Sequence, residues 1–417
     1  MRRDGFGSWH NSSTRLLQAR LTLRPWITYD FTIQQVVVMD SEVKAQCTRA
    51  VELFHPGCTV EESQEQGQCS YTLLVSCSND VPKFDNLAEQ YYEYRSADGD
   101  ERTSFIVQIR PVQYALDLPI AQAAKTIYPA LAPSIYPLEL ELPSQLRAYQ
   151  MERMRGTPLS RLLPKGSQVE SFPSKKYEQL MESFAIIIAQ GWKSASKPLT
   201  SRIVRADSPM DYKPAMLSQC TGKVGSSIVS RLEKLSDELP DELSRRVASE
   251  TLERVRSIAD YPVVLNHGDL IPSNILVDEV AWEITGIVDW AEAEYLPFGT
   301  CFYGLESLLG HIAPAPHSLT RSNNDSVTNK TSPLFRYIDH APGLRSLFWT
   351  NLFEKLPEMK RRHEDVKTMR DLGVLLWYGY AWDDGAINRV VNEADDPDEI
   401  ACLRAFLGVA TDVAVAA

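Results

Sequence analysis

Runs of apolar residues along the chain alternate between two spacings. Residues 72–77 (TLLVSC) and 105–110 (FIVQIR) are β-branched and apolar, and a polar stretch with Asn79, Asp80 and Asp98-Gly99 divides them, so 59–110 reads as strands. Residues 117–132 read as a helix, and 146–154 (LRAYQMERM) as a strand entering a connector punctuated by Gly156, Pro158 and Pro164. Helical spacing then takes over. In KYEQLMESFAIIIAQGW (176–192), Tyr177, Leu180, Met181, Phe184, Ile187 and Ile188 share one helical face. Residues 228–258 form a charged amphipathic segment. NILVD (274–278) and EITGIVDW (283–290) read as a strand pair, 311–333 as a polar loop, and about 345–356, 364–380 and 397–408 as closing helices. Residues 40–155 thus predict a small sheet-rich lobe, followed by a mostly helical remainder.

Residues 1–38 stand apart. They hold Arg2, Arg3, Arg15, Arg20 and Arg24 against Asp4 and Asp30, a weak likeness to a transit peptide. Met39 opens a natural helix start, MDSEVKAQCTRAVELF, so 1–38 is expected to lie outside the fold.

The chain has 417 residues, 44% of them hydrophobic and 24% charged, which is globular composition. At roughly 150 residues per domain it holds two or three core units. Its seven cysteines form no C-x-x-C pair and no metal-ligand spacing, and read as buried cytosolic thiols. No apolar run is long enough for a membrane span. The expected setting is therefore cytoplasmic, with no membrane and no DNA as partner. A net charge of −12 argues against a nucleic-acid coat. It leaves room for a local basic surface, and Arg147, Arg153, Arg155, Arg161, Lys165, Lys175 and Lys176 fall close together. A solvated face with scattered positive charge is the plainer account of them.

The sharpest chemical feature is LNHGDLIPSNILVD (265–278) followed by ITGIVDW (284–290). In phosphoryl transfer one carboxylate orients the attacking hydroxyl, and an amide oxygen and a second carboxylate hold the cations on the phosphates. A tight loop would present Asp269 and Asn274 together, and the hairpin would bring Asp289 beside them. The pattern H-G-D-x-x-x-x-N and a following strand that ends in Asp resemble the aminoglycoside phosphotransferase and choline kinase branch of the kinase-like superfamily, over roughly 59–310. The resemblance implies an α+β, protein-kinase-like two-lobe fold, with a β-rich N-lobe over 39–155 and a helical C-lobe over 156–417. It makes Asp269 the base, Asn274 and Asp289 metal ligands, and His267 a buttress of the loop.

The nucleotide half departs from that pattern. The stretch 61–75 that should be glycine-rich has one glycine, Gly67, and the strand that should carry a lysine has Arg110. Arginine's fork is not an equivalent phosphate clamp. The next helix offers Gln122 where an acid should meet that cation.

Near the C-terminus, Asp395-Asp396-Pro397-Asp398-Glu399 spells D-D-x-x-E, shortly after Asp383-Asp384. Three carboxylates together could bind a metal, deprotonate an amine or grip a guanidinium. Equally, Asp396 suits a helix N-cap, Pro397 its first position and Glu399 the third residue of a capping box. A kinase-like chain with this motif is also similar to the fungal arginine-containing cyclodipeptide synthases. These join arginine from arginyl-tRNA to a residue from a second aminoacyl-tRNA. That resemblance makes Asp395, Asp396 and Glu399 catalytic with Asp269 and implies no cofactor, since aminoacyl esters are already activated. Cys69 and Ser70 would be conceivable acyl acceptors, although turn residues are the commoner role. The expectation is thus a tRNA-dependent synthase, the alternative an ATP- and Mg-dependent small-molecule phosphotransferase with Arg110 at the nucleotide, and the third an inactive binding module.

Overall fold

The computed structural model describes residues 40–67, 69–78, 102–163, 174–195, 215–258, 260–313, 332–383 and 385–408. The 1–38 extension, Lys165 and most of the polar 311–333 loop lie outside the described residues.

Asp40 caps α1 (Ser41–Phe54) by accepting the amide of Glu42. Five antiparallel strands follow: β1 (Cys58–Glu62), β2 (Tyr71–Ser78), β3 (Arg102–Pro111), β4 (Ile135–Leu138) and β5 (Leu146–Glu152), in the order β1-β2-β3-β5-β4. Between β3 and β4 runs α2 (Leu118–Ile127), capped by Asp117 on Ile120 N–H. Strand alternation divides β3. Phe105, Val107 and Ile109 enter the N-lobe core with Leu73, Val75 and Cys47, while Ile106, Gln108 and Arg110 line a cleft on the other face.

The C-lobe begins with the short β6 (Thr157–Pro158) and α3 (Leu159–Leu162), then α4 (Ser174–Ala195). All six predicted face residues of α4 are buried. The amphipathic 228–258 segment is two helices broken at Pro240: α7 (Ile228–Glu238) and α8 (Glu242–Ser257), after α5 (Ala215–Gln219) and α6 (Gly222–Gly225). Two strand pairs then carry the chemistry. β7 (Val263–Asn266) pairs with β10 (Glu294–Pro297), and β8 (Ile275–Val277) pairs with β9 (Ile284–Ile287) between them. The lobe closes with α9 (Tyr303–Leu308), β11 (Gly310–Ala313), β12 (Leu334–Tyr337), α10 (Ala341–Lys355), α11 (His363–Tyr378) and α12 (Pro397–Leu407). One apolar cluster lies within the N-lobe, and a larger one fills the C-lobe and takes in Ala124, Tyr128 and Ala132 from α2 and the turn after it. The architecture is the expected α+β, kinase-like one, with a β-sheet N-lobe and a helical C-lobe.

The cysteines correct one expectation. Cys58 and Cys77 face each other across β1 and β2 with Cα atoms 4.3 Å apart, and they are joined as a disulfide rather than left as thiols. Cys47, Cys220 and Cys402 are buried thiols as expected, whereas Cys69 and Cys301 are only partly covered. No helix among the described residues is long and apolar enough to cross a membrane.

Candidate active site

The β7–β10 and β8–β9 pairs nest so that each delivers one part of the signature to the same place. His267 and Asp269 leave the end of β7, and Asn274 closes a 3-10 turn (Pro272–Asn274) before β8. Val288 N–H continues the β8–β9 ladder by donating to the Asn274 carbonyl at 2.9 Å, which sets Asp289 beside Asn274.

The loop is held by its own groups. Asn274 Nδ2 donates to both the Asp269 carbonyl and Asp269 Oδ2, each at 2.9 Å. Both donations come from nitrogen, so Asn274 Oδ1 remains an acceptor facing other partners. His267 Nε2 lies 2.8 Å from the Val288 carbonyl, and its Nδ1 accepts the Asp269 amide at 3.2 Å. A carbonyl needs a donor and an amide needs an acceptor, so the ring is neutral with its proton on Nε2. Burial accordingly holds the His267 pKa down to about 4. Trp290 packs edge-on against this ring at 4.6 Å between centroids. His267 is thus the buttress that the sequence suggested, and it ties the Asp269 loop to the strand that ends in Asp289.

Two backbone positions are special. Gly268 has φ +77°, and a Cβ there would stand 1.9 Å from the Glu292 carbonyl oxygen, so no side chain fits. Asp289 is left-handed without being glycine, φ 61° and ψ 65°, a conformation that costs of order 1 kcal/mol or more. It turns a half-exposed carboxylate toward the cleft.

The cleft between the lobes has a volume of about 460 Å³, within the range of small-molecule sites. Its apolar lining includes Ile106, Ile135, Met151, Met154, Leu276 and Val288. Its polar lining includes Asp269, Asn274, Asp289, Glu292 and Glu294, and Trp382 and the pair Tyr303 and Trp377, stacked at 4.8 Å, also line it. Burial, reinforced by Asp289 and Glu294, pushes the Glu292 carboxyl up, and Lys223 opposes this. Glu294 is spent on the amides of Val224 and Gly225 in α6.

The departures in the N-lobe have structural outcomes. Between β1 and β2 the chain is closed by a side chain rather than by glycines. Gln66 Nε2 donates to the carbonyls of Ser63 and Thr72 at 2.8 Å, and its Oε1 accepts Thr72 N–H at 2.9 Å. Arg110 is buried, and its Nη2 lies 3.3 Å from Asp289 Oδ1. Gln122 points to solvent, and α2 instead sends Lys125 to Glu152 at 2.8 Å. Ser70 is fully buried beside Thr72, while Cys69 reaches the cleft.

The D-D-x-x-E segment sits apart from the cleft lining. Asp395 is exposed and accepts from Asn392 Nδ2 at 3.1 Å. Asp396 is buried, and its carboxylate takes Arg389 at 2.6 and 3.1 Å and the Asn392 amide at 2.9 Å. It stands at the N-cap of α12 and Pro397 follows as expected, but its carboxylate is turned to Arg389 rather than to the helix amides. Glu399 is buried in the first turn of α12. Of the predicted site residues, the fold therefore brings Asp269, Asn274, Asp289 and Arg110 together and keeps Asp395, Asp396 and Glu399 out of that cleft lining. Three members of the basic run are engaged locally: Arg153 on Ser104 Oγ at 3.1 Å, Arg161 on Glu65 and Lys176 over the Trp282 ring.

Sequence reasoning missed Glu292 and Glu294, which follow Asp289 by three and five residues, and the aromatic set of Tyr303, Trp377 and Trp382. Only the β7–β10 register, which puts Glu294 opposite Asn266, carries the two glutamates to the cleft.

No curated protein matches the chain in sequence. Among solved structures it is similar to an aminoglycoside 2'-phosphotransferase in complex with GDP, at 14% identity and a TM-score of 0.45, covering 80% of this chain and 89% of that one. It is also similar to a gentamicin complex of an aminoglycoside phosphotransferase, at 13% identity, 92% and 99% coverage and a TM-score of 0.39. An ethanolamine kinase of Plasmodium vivax follows at 12% identity, 77% and 75% coverage and a TM-score of 0.39. Residues 93–299, which carry the whole Asp269–Asp289 constellation, match the model of the phosphotransferase enzyme family, and the fold around them is the kinase-like one.

Proposed function

We propose that the chain transfers the γ-phosphoryl group of a Mg-nucleotide to a hydroxyl of a small, positively charged acceptor. The observation that carries this reading is the meeting of Asp269, Asn274, Asp289 and Arg110 in one cleft whose lining is partly apolar and partly acidic. The apolar lining suits a nucleobase. Among the described residues that line the cleft, seven are acidic and Arg110 is the one base, which favours a cationic acceptor.

Asp269 takes the proton of the acceptor hydroxyl as its oxygen bonds to the γ-phosphorus. The bond from that phosphorus to the bridging oxygen breaks, and the nucleoside diphosphate leaves with the electron pair. Arg110 contributes positive charge toward the phosphates. Asn274 Oδ1 and Asp289 are hard oxygen donors and fit a magnesium ion, which habitually takes one or two protein oxygens and completes its shell with phosphates and water. When bound, such an ion supplies neutralisation of phosphate charge. Gly268 and His267 keep the Asp269 carboxylate at its station.

Condensation of arginyl-tRNA with a second aminoacyl-tRNA is the weaker reading. It asks Asp396 and Glu399 to meet substrate, and neither lines the cleft. The test is purified chain with Mg-ATP and a panel of hydroxyl-bearing amines, scored for ADP release and for a product heavier by one phosphoryl group. Transfer that vanishes in Asp269→Asn supports the proposal. An arginine-containing diketopiperazine formed from charged tRNAs without ATP would overturn it.

A further inference from the structure

Arg110 and Asp289 come from different lobes and are 179 residues apart, yet they form the one direct contact between the nucleotide-side cation and the metal-side carboxylate. The contact is lopsided. Arg110 is anchored elsewhere, with Nε on Gln108 Oε1 at 2.8 Å and Nη1 on the Tyr114 carbonyl at 3.4 Å, so its place in the wall does not depend on Asp289. Its Nη2 alone reaches Asp289, at 3.3 Å and in a single contact rather than a paired fork. The arginine side chain is 6% exposed and the aspartate 44%, so solvent already competes for the acid. With Arg110 buried and Asp289 half-exposed, this single contact at 3.3 Å is weaker than a paired fork and open to exchange on the side of the acid. A lysine carries its three N–H donors on one nitrogen, whereas the guanidinium spreads these contacts over Nε, Nη1 and Nη2.

We propose that Arg110 is a stand-in for the metal ion, neutralising Asp289 in the nucleotide-free cleft and surrendering it when nucleotide phosphates take up Nη2. Cation and nucleotide then enter as one unit, and a free divalent ion finds Asp289 already occupied by positive charge. The inference rests on the phosphotransferase reading and adds to it an order of events. It also gives a role to the lysine-to-arginine departure and to the missing acid on α2, since the partner of this cation is Asp289 itself. Linkage requires reciprocity: what displaces Arg110 from Asp289 strengthens metal binding, and what removes Asp289 frees Arg110 for phosphate.

The test is three titrations on the full chain: Mn²⁺ alone, followed by the electron-spin signal of the free ion; ATP in EDTA, followed by displacement of trinitrophenyl-ATP; and Mn-ATP. Arg110→Gln should bind Mn²⁺ alone about tenfold more tightly than the unaltered chain and ATP in EDTA about tenfold more weakly. Asp289→Asn should do the reverse, losing Mn²⁺ alone and binding ATP in EDTA more tightly. Mn²⁺ binding by Arg110→Gln that is equal to or weaker than that of the unaltered chain overturns the proposal. If that variant does not fold, unchanged or weakened ATP binding in EDTA by Asp289→Asn overturns it instead. A chain that binds no Mn-ATP, yet whose Arg110→Gln variant still gains Mn²⁺ affinity, removes the phosphotransferase reading and leaves the Arg110–Asp289 competition standing.

Discussion

Two acid-rich segments, HGDLIPSN with its following IVDW and NEADDPDE near the C-terminus, are treated by the fold in opposite ways. In the first, the backbone and neighbouring amides hold the chain, and Asp269 and Asp289 both line the cleft. Asp269 is gripped from one side by Asn274 Nδ2, and Asp289 keeps a half-exposed side chain with one long contact to Arg110. In the second, the carboxylate is itself the fastening. Asp396 takes Arg389 through both of its oxygens, and Arg389 in turn takes Asp383 at 2.9 and 3.0 Å. That fastening closes the turn from Ala381 to Val390, one flank of which lines the cleft through Trp382 and Ile387. The number of acids in a motif is therefore a poor guide to chemistry. The useful question is how many of their lone pairs the protein has already used.

The largest effect that would break this contrast lies in the first segment. Asp269→Asn keeps an oxygen that can accept from Asn274 Nδ2 but removes the base. Transfer should fall by about 10³-fold, within the span of general-base contributions, while the unfolding midpoint changes little. Steady-state rates beside thermal unfolding would show it. A variant that unfolds early but retains its turnover per folded molecule would place Asp269 with the fastenings.

The second segment should answer in the other currency. Asp396→Ala leaves Arg389 without its buried partner and frees the Asn392 amide. Breaking a buried pair costs about 3–5 kcal/mol, and the partial exposure of Arg389 should reduce this to about 2–3 kcal/mol. Denaturant unfolding would read the loss. Asp395→Ala, one residue earlier and exposed, should stay within about 0.5 kcal/mol. If Asp395→Ala instead abolished activity in a folded protein, the segment would be a site and the comparison would fail.

Much of the first segment was legible because its determinants are local: a five-residue spacing, a hairpin and a glycine that no other residue can replace. The same holds for α4, whose buried face follows from helical period alone. What escaped depends on pairing between distant residues. The polar 311–333 stretch hides at its ends the strands β11 and β12, which pair across residues outside the described set. β7 and β10 are four residues each and become strands only by finding one another. The Cys58–Cys77 link was hidden for the same reason, since an odd cysteine count with no motif spacing says nothing of strand register. An acid on α2 was sought as the partner of Arg110, and Gln122 stands there instead; a helix face set by Ala121 and Ala124 turns it outward, and Asp289 supplies the charge from the other lobe.

The gentlest way to separate the two segments is acid. His267 in the first has its pKa held down to about 4 from 6.5 by burial, so the unfolded chain binds its proton more readily over that window. Stability from this group is present above pH 6.5 and is lost as pH falls toward 4, at roughly 1.4 kcal/mol per pH unit. Asp398 in the second has the opposite sign. Burial pushes its carboxyl up to about 6 from 3.8, so the folded chain holds the proton more readily. Its contribution is most favourable below pH 3.8 and fades as pH rises through 6. His55, buried and also held down to about 4, adds to the first slope and stays in place in either variant. His267→Gln should therefore flatten the loss of stability between pH 6.5 and 4. Asp398→Asn should stabilise the chain at pH 7, with the gain vanishing near pH 4. Denaturant midpoints at half-unit pH steps would resolve both. Parallel curves for His267→Gln and the unaltered chain would mean that the ring is not the neutral buttress on which the Asp269 loop is built.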